Sequence, residues 1–280
     1  MTPAKKQALR FGVSGSTILS DPDRLDELFW EGIDHIEVGS LSSGTDLDKL
    51  LDRARQQALS VGFHSPLLKG GSKYDLLLQV EQQPEAAWRQ LAEELKIAKA
   101  NQVEYVLVHF PFFLSAAAPD PIPQIDAGLE RLAELQAKYG TTILCEPKLG
   151  VRQDPGGIGI LRDYPVERWL DFAVPMCWDM GDWILAAGSP STYLDDFGRW
   201  AGAIAAIHVH DVKVEEKRYY WLAVHPSYEG KEPFLSLKPF FAALKSMGVL
   251  LVWEHTPHFL PDQGFALEGF RWAKHELGAA

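Results

Sequence analysis

Six side chains that can bind a metal ion or transfer a proton occur in this sequence, each at the end of a short apolar run. They are, in chain order, His64, His109, Glu146, Asp179, His208 and Glu254. Carboxylates and imidazoles are common ligands of divalent ions and common general acids and bases. One such residue at a strand end is usually a cap or a hydrogen-bonding group, but six in succession are hard to attribute to chance. We therefore expect them to meet at one site.

Glu146 shows most clearly why a charged residue at the end of a buried strand requires a functional explanation. It ends the β-branched, apolar run 141–145 and is followed by Pro147 and Gly150, a pattern typical of a buried strand that stops at the acid. A carboxylate at the end of a buried strand is costly unless it is paired or binds a cation. Glu146 is therefore expected to have a partner of positive charge.

The elements that would position these residues alternate along the chain. Strands are predicted at 11–14, 35–39, 61–66, 103–109, 141–146, 173–179, 203–211 and 249–254. Helices are predicted at 21–30, 47–59, 85–100, 125–139, 166–172, 193–201, 235–247 and 267–277. Eight strands alternating with helices predict right-handed βαβ units and one parallel sheet.

This alternation predicts an α/β fold in which residues 1–280 form a single (β/α)₈ TIM barrel, with the site at its C-terminal mouth. An open doubly wound sheet is the main rival. That fold usually has fewer strands and a glycine-rich turn that binds phosphates, and residues 12–16 are too short for this fingerprint.

Composition limits the class of protein. Hydrophobic residues make up 46% of the chain, which is enough for a full core. We see no run of about 18 apolar residues and no apolar leader, so we expect a cytoplasmic protein that does not enter a membrane. The net charge of −11 and the lack of a basic cluster disfavour nucleic acid as a partner.

The two cysteines, Cys145 and Cys177, both fall in predicted strands. Cys145 has the opposite parity to Glu146, whereas Cys177 has the same parity as Asp179. We therefore expect them to face different layers of the barrel and to form no disulfide. Two reduced cysteines fit a reducing compartment.

Four of the strand-end residues form an oxygen-rich donor set of three carboxylates and one imidazole, which we call the quartet: Glu146, Asp179, His208 and Glu254. Such a set suits one hard or borderline divalent ion that keeps open positions for substrate. Mn²⁺ and Mg²⁺ are favoured, and Zn²⁺ and Co²⁺ are acceptable. Structural zinc sites instead use thiolates.

The order of the strands and their terminal residues resembles the xylose isomerase-like barrel superfamily. It includes ketose 3-epimerases, hydroxypyruvate isomerase, inosose dehydratase and endonuclease IV. In the epimerase branch a Glu, Asp, His, Glu set on strands five to eight binds one metal ion, and the two glutamates shuttle protons. The quartet matches this set. The sequence Glu146-Pro147-Lys148 also resembles the Glu-Pro-Lys of xylose isomerases, in which the lysine polarises a substrate oxygen.

Three positions depart from the patterns of these relatives. Asp182 stands where epimerases and endonuclease IV usually have a histidine. Of the Asp-x-His pair of endonuclease IV, only His225 is present, because Ala223 takes the first place. Val214 replaces the arginine that contacts substrate in the epimerases. These differences argue against a three-zinc site and against the common ketohexose substrates.

The resemblance implies proton transfer next to a carbonyl through an enediolate, with Glu146 and Glu254 as the catalytic acid and base. Epimerisation, isomerisation and inosose-type dehydration remain open as outcomes. The substrate would be a small sugar or polyol. Its contacts are expected from His64, His109, Lys148, Asp182, His210 and His225.

Two other functions compete with this interpretation. One is an endonuclease IV-like phosphodiesterase, which would need two or three zinc ions. The other is a ligand-binding or scaffold protein on a barrel that has lost its activity. Aromatic residues on the outer helices also leave a homo-oligomer open.

Several aromatic residues and histidines lie near the predicted site. Trp178 and Trp253 have outward parity and are expected to pack against helices. Trp183 and the segment 110–113 could stack on a sugar ring or belong to the core. His255 and His258 lie beyond the last strand and are expected at the surface.

Overall fold

The computed structural model describes residues 8–69, 75–79, 82–113, 120–150, 156–215 and 218–279. Within these residues, the barrel strands are β1 Arg10–Ser14, β2 His35–Val38, β3 Ser60–His64, β4 Tyr105–His109, β5 Thr142–Glu146, β6 Met176–Asp179, β7 Ile204–Val209 and β10 Leu250–Trp253, numbered so as to leave β8 and β9 for a hairpin after β7. These eight parallel strands close into a barrel in the order β1-β10-β7-β6-β5-β4-β3-β2. The predicted (β/α)₈ barrel is thus confirmed.

Nine α-helices surround the barrel within the described residues, seven of them where the apolar spacing predicted a helix and two, at 156–161 and 180–187, where it did not. They are α1 Gly44–Gln56, α2 Pro84–Ala100, α3 Ile122–Tyr139, α4 Gly156–Leu161, α5 Val166–Asp171, α6 Met180–Ala187, α7 Pro190–Trp200, α8 Lys238–Leu244 and α9 Gln263–Leu277. Several begin at residues whose side chains accept a hydrogen bond from the first turn, such as Ser43 for α1 and Asp262 for α9. None of the described helices is long and apolar enough to cross a membrane.

The first predicted helix, at 21–30, was wrong in type. Residues Pro22–Leu28 form a 3₁₀ helix capped by Asp21. The buried residues of this helix, Leu25 and Leu28, are three positions apart. That spacing matches the three residues per turn of a 3₁₀ helix, and the segment is too short to present an α-helical face.

The seventh strand is shorter than predicted. It ends at Val209, and the next residues form an antiparallel hairpin of β8 Asp211–Glu215 and β9 Arg218–Leu222 that was missed from the sequence. Trp221 of the hairpin packs on His210, with ring centroids 4.5 Å apart. It also fills the space beside Gly181, where a Cβ atom would lie 2.4 Å from the Trp221 ring. The hairpin therefore covers the start of α6.

The strands divide the interior into two layers, as the cysteine parities predicted. Both cysteines are free. Cys177 belongs to a small apolar cluster inside the barrel with Leu107 and Leu144, whereas Cys145 belongs to the larger core between strands and helices. Trp178 lies in this outer core, stacked on Trp183 at 3.8 Å. Trp183 is fully buried there, so it packs in the core.

A candidate metal site at the C-terminal mouth

Strand ends bring the predicted residues together at one end of the barrel. His64, His109, Glu146 and Asp179 are the last residues of β3, β4, β5 and β6. His109 pairs in register with Glu146, and Asp179 pairs with His208. Glu254 directly follows β10. Because the strands are parallel, these side chains all point to the C-terminal mouth.

The quartet is compact. Nδ1 of His208 lies 3.1 Å from Oε1 of Glu146 and 2.7 Å from Oε2 of Glu254. One donor atom from each of the four residues lies within 4.8 Å of the others. Ligands about 2.1 Å from one ion can be at most about 4.2 Å apart, so only small side-chain movements separate this arrangement from a coordination shell. Three carboxylates and one imidazole fit an oxygen-preferring divalent ion.

Glu146 also faces a second group of possible ligands. Its Oε2 atom lies 3.2 Å from Nε2 of His109 and 3.6 Å from Nε2 of His64. The other oxygen, Oε1, faces His208. His64, His109 and Glu146 therefore form a further candidate cluster that shares Glu146 with the quartet. His64 in addition lies 3.8 Å from Oε1 of Glu254.

Lys148 lies among the acids, with its side chain only 16% exposed, rather than in solvent. Its Nζ atom is 3.2 Å from Oε1 of Glu146, 3.3 Å from Oδ2 of Asp179 and 2.5 Å from Oδ2 of Asp182. Burial would lower the pKa of Lys148, but these carboxylates hold it well above its usual value. Lys148 is thus a fixed cation at the edge of the quartet.

Asp182 serves as the anchor of that cation. Its backbone N–H donates to Oδ1 of Asp179 at 2.8 Å, at the first turn of α6. Burial and the adjacent Asp179 carboxylate raise the pKa of Asp182 to about 7. The position that is usually histidine in the relatives therefore carries an acid paired with Lys148.

Glu37 is a site residue that sequence reasoning missed. It is fully buried on β2, and its Oε1 and Oε2 atoms lie 3.1 and 3.3 Å from Nε2 of His208. Burial alone would raise the pKa of Glu37, but His208 beside it lowers that pKa to about 2. The available signal was an acid inside the apolar run 35–39. Because Glu37 lies inside β2 rather than at its end, a search for strand-end residues does not find it.

The carboxylates at the mouth raise the pKa of two of its imidazoles, His64 and His208. Burial would lower the pKa of His64, yet Glu146, Glu37 and Glu254 raise it to about 9. Burial likewise opposes the charged form of His208, but the surrounding carboxylates raise its pKa well above the usual value. Burial dominates at His109 and lowers its pKa. A metal ion would therefore displace protons as it binds.

His210 and His225 differ in their relation to the site. Nε2 of His210 lies 3.2 Å from Oδ1 of Asp179, and the ring is fully buried beneath Trp221. It thus supports a member of the quartet. His225 stacks on Phe265 of α9 at 3.6 Å and its Nδ1 atom lies 2.7 Å from Oγ of Ser227. The contacts described for His225 are with this outer layer rather than with the quartet.

The aromatic segment 110–113 is mainly core. Phe110, Phe112 and Phe113 are all buried, and Phe110 packs near Trp169 with ring centroids 6.3 Å apart. Phe112 alone contacts a strand-end histidine, with its ring 5.6 Å from that of His109. It is the aromatic side chain of this segment that borders the site.

His255 was expected at the surface and is in fact buried, at 1% exposure. It follows the last strand closely, and the ring turns back against Trp30, 6.2 Å away. Burial lowers the pKa of His255 to about 3. His258 is exposed, as expected.

This burial predicts a loss of stability in acid. Because the pKa of His255 is lower in the folded state than the usual value near 6.5, the unfolded chain binds the proton first and stability falls as pH drops from about 6.5 towards 3. We expect His255 to contribute about 2 kcal/mol less stability at pH 5 than at pH 7. Urea unfolding of wild type and of His255→Phe at both pH values measures this difference. The exposed His258→Phe should keep the wild-type difference, and an equal difference in His255→Phe would refute the assignment.

A cavity of about 280 Å³ opens beside His64 and Glu254. Four hydroxyl side chains line it, so we call it the serine cavity: Ser14, Ser16, Ser20 and Ser40. Leu19, Ser20 and Ser40 around it have positive φ angles of 54°, 50° and 50°. Non-glycine residues rarely adopt this conformation, and such strain concentrates at functional sites.

Comparison with known proteins assigns the sequence to a family. The family model for xylose isomerase-like TIM barrels matches residues 26–275. No curated protein sequence shows significant similarity to the chain.

Solved structures share the fold at low identity. An L-ribulose 3-epimerase has a TM-score of 0.68 at 16% identity, covering 96% of this chain and 95% of its own. A xylose isomerase-like TIM barrel protein from Mycobacterium smegmatis in complex with magnesium has a TM-score of 0.62 at 13% identity, covering 97% and 98%. An AP endonuclease of family 2 from Brucella melitensis has a TM-score of 0.60 at 17% identity, covering 94% and 97%.

Proposed function

The chain belongs to the xylose isomerase-like TIM barrel family, and from this membership and the site we propose that it is a metal-dependent sugar or polyol isomerase or epimerase. The reaction is proton transfer at a carbon next to a carbonyl, through an enediolate. The observation that carries the proposal is the quartet: two glutamates and an aspartate meet one histidine at the mouth, with one donor atom from each within 4.8 Å of the others.

In this proposal, the two glutamates of the quartet move the protons. Both approach the same atom, Nδ1 of His208, at 3.1 Å for Glu146 and 2.7 Å for Glu254, and they reach it from strands β5 and β10. A divalent ion held there would act as a Lewis acid on adjacent carbonyl and hydroxyl oxygens. One glutamate removes the C–H proton and the other returns a proton, and return from the opposite face inverts the carbon.

The lysine and the histidines would orient the substrate. Lys148 carries a fixed positive charge 3.2 Å from Glu146, so it can stabilise negative charge that develops on a substrate oxygen. His64 and His109 present N–H groups beside the same glutamate. These groups donate hydrogen bonds to hydroxyl or carbonyl oxygens.

The serine cavity suits the rest of a polyhydroxylated substrate. Hydroxyl groups both donate and accept hydrogen bonds, as sugar hydroxyls do. The cavity adjoins His64 and Glu254, so a substrate bound at the quartet can extend into it. No lysine or arginine lines it among the described residues, which favours an uncharged tail over a phosphorylated one.

A phosphodiesterase of the endonuclease type is the second candidate, and the cluster of His64, His109 and Glu146 favours it. Such an enzyme would hold two or more metal ions. The net charge of −11 and the position of His225 against α9 weigh against it, because a three-ion site needs further ligands and DNA needs a basic surface. Cleavage of abasic DNA by the zinc-loaded protein would favour this candidate.

Exchange of solvent deuterium into substrate tests the proposal. We expect the wild-type protein, loaded with Mn²⁺, Mg²⁺, Co²⁺ or Zn²⁺, to exchange the proton next to the carbonyl in at least one member of a panel of ketoses and keto-polyols. NMR of the recovered compounds measures the exchange and reveals any epimer. If no compound exchanges with any of the four ions, proton transfer is not the activity of this site.

A further inference from the structure

We propose that Glu37 is a positioning residue for His208, and that Tyr105 and His35 hold Glu37 in place. These three residues form a hydrogen-bonded line inside the barrel, which we call the polar column. The inference rests on the proposed function, because it concerns how a member of the quartet is aimed at a metal ion.

The polar column runs from the opposite end of the barrel to the site. His35 is the first residue of β2 and Tyr105 the first of β4, so both lie at the N-terminal end. Nε2 of His35 lies 3.0 Å from the Tyr105 hydroxyl, which donates to Oε2 of Glu37 at 2.8 Å. Glu37 in turn faces Nε2 of His208 at 3.1 Å.

The lower end of the column is tied to charged groups. Nδ1 of His35 lies 2.7 Å from Oγ of Ser60 and 3.6 Å from Oε2 of Glu104. Arg10 donates to both oxygens of Glu104, at 2.6 and 2.9 Å. Both ring nitrogens of His35 therefore have polar partners, Ser60 at Nδ1 and Tyr105 at Nε2.

Two glycines make room for this arrangement. A Cβ atom at Gly62 would lie 2.3 Å from Cζ of Tyr105, and one at Gly12 would lie 3.1 Å from Cβ of His35. A contact as short as that at Gly62 cannot be accommodated without moving the Tyr105 ring. The residues of neighbouring strands thus fit the polar column closely.

Stability alone does not explain a polar column in this place. The interior of a barrel of this type is usually filled by branched apolar side chains, and here Leu107, Leu144 and Val252 form such an apolar cluster against the ring of Tyr105. Replacing buried charged groups with apolar residues of similar volume is often neutral or stabilising. The column therefore needs a reason other than folding.

The geometry at His208 supplies that reason. Its Nδ1 atom faces Glu146 and Glu254, whereas its Nε2 atom faces Glu37. A histidine that binds a metal ion through one nitrogen commonly donates its other N–H to a carboxylate, which fixes the ring orientation and strengthens the ligand. Glu37 would do this for His208, and Tyr105 would keep the Glu37 carboxylate aligned.

Metal affinity of three variants tests the proposal. We expect Glu37→Leu to weaken Mn²⁺ binding about 10-fold to 100-fold, measured by isothermal titration calorimetry. Glu37→Gln keeps an oxygen that can accept from Nε2, so it should restore part of the loss. Tyr105→Phe should weaken binding less than Glu37→Leu. The matched control is Tyr164→Phe, which removes the hydroxyl of another buried tyrosine that donates to Asp126 at 2.6 Å in the outer layer.

A second measurement needs no metal ion and no turnover. Crystal structures of the metal-free proteins should show the same His208 ring orientation in wild type and Tyr164→Phe, and a rotated or disordered ring in Glu37→Leu. Circular dichroism identifies any variant that fails to fold, and Glu37→Gln and Tyr105→Phe then carry the comparison.

Equal Mn²⁺ affinity in wild type and the folded Glu37 variants, with an unchanged ring, would overturn the positioning role. A wild-type protein that binds no divalent ion would instead contradict the proposed function. In that case, an unchanged His208 ring in metal-free Glu37→Leu would overturn the positioning role as well.

Discussion

Replacing Glu254 or Glu146 by glutamine is expected to lower the rate of solvent deuterium exchange about 10³-fold. Glutamine has nearly the shape of glutamate but cannot accept a proton, and it is a weaker ligand for a divalent ion. The loss of the proton acceptor and the weakening of the metal ligand both affect the quartet, because each glutamate lies close to Nδ1 of His208. Steady-state exchange followed by NMR, with the metal ion saturating, measures the loss.

The two glutamine variants should differ in the deuterium exchange that each still catalyses. If the glutamates serve opposite faces of the substrate, each variant keeps a slow exchange at the carbon proton that the other glutamate removes, starting from the substrate or from its epimer. Asp196→Asn is a suitable control, because Asp196 is a buried acid that pairs with Arg162 at 2.9 Å in the outer layer. Wild-type rates in either glutamine variant would rule out that residue as the acid or base.

Removal of the metal ion is expected to abolish activity and to lower the thermal stability of the protein. Without the ion, the three carboxylates of the quartet repel one another, and among the described residues Lys148 and His208 lie against them with positive charge or a raised pKa. An ion at 100 times its dissociation constant stabilises the folded state by about 2.7 kcal/mol. Thermal unfolding and exchange assays before and after chelation, and after return of each ion, measure both effects. Full activity after complete chelation would contradict the metal dependence.

The number of ions per chain separates the two candidate functions. We expect one ion, bound by the quartet, because the cluster of His64, His109 and Glu146 offers only three donors and shares Glu146 with the quartet. Elemental analysis of the purified protein measures the ratio. His64→Asn should keep the one ion. Two ions in wild type and one in His64→Asn would favour the two-metal cluster and the phosphodiesterase.

Much of the fold and part of the site followed from local patterns. The alternation of short apolar runs with amphipathic segments predicted the eight barrel strands, and strand parity predicted that Cys145 and Cys177 face different layers. Parity also placed His64, His109 and the quartet at one mouth, because parallel strands in a closed barrel end on the same side. The metal ligands and the catalytic roles themselves remain predictions.

Other features depended on segments that are distant in sequence. Glu37 and His208 are 171 residues apart and meet only because β2 and β7 face each other across the closed barrel. Lys148 pairs with Asp179 and Asp182, partners that its position two residues after Glu146 did not predict. His255 packs near Trp30 and His225 packs on α9, and neither contact follows from the helix or strand periodicity of the sequence.

The sequence by itself therefore determined which residues end the strands and which chemistry they can perform, since side-chain type and a period of two are local properties. Only the tertiary structure decided which atoms lie within bonding distance of one another. Hydrogen bonds and ion pairs require approach to about 3 Å, and that depends on strand register, barrel closure and the packing of loops. The polar column behind His208 is the clearest example.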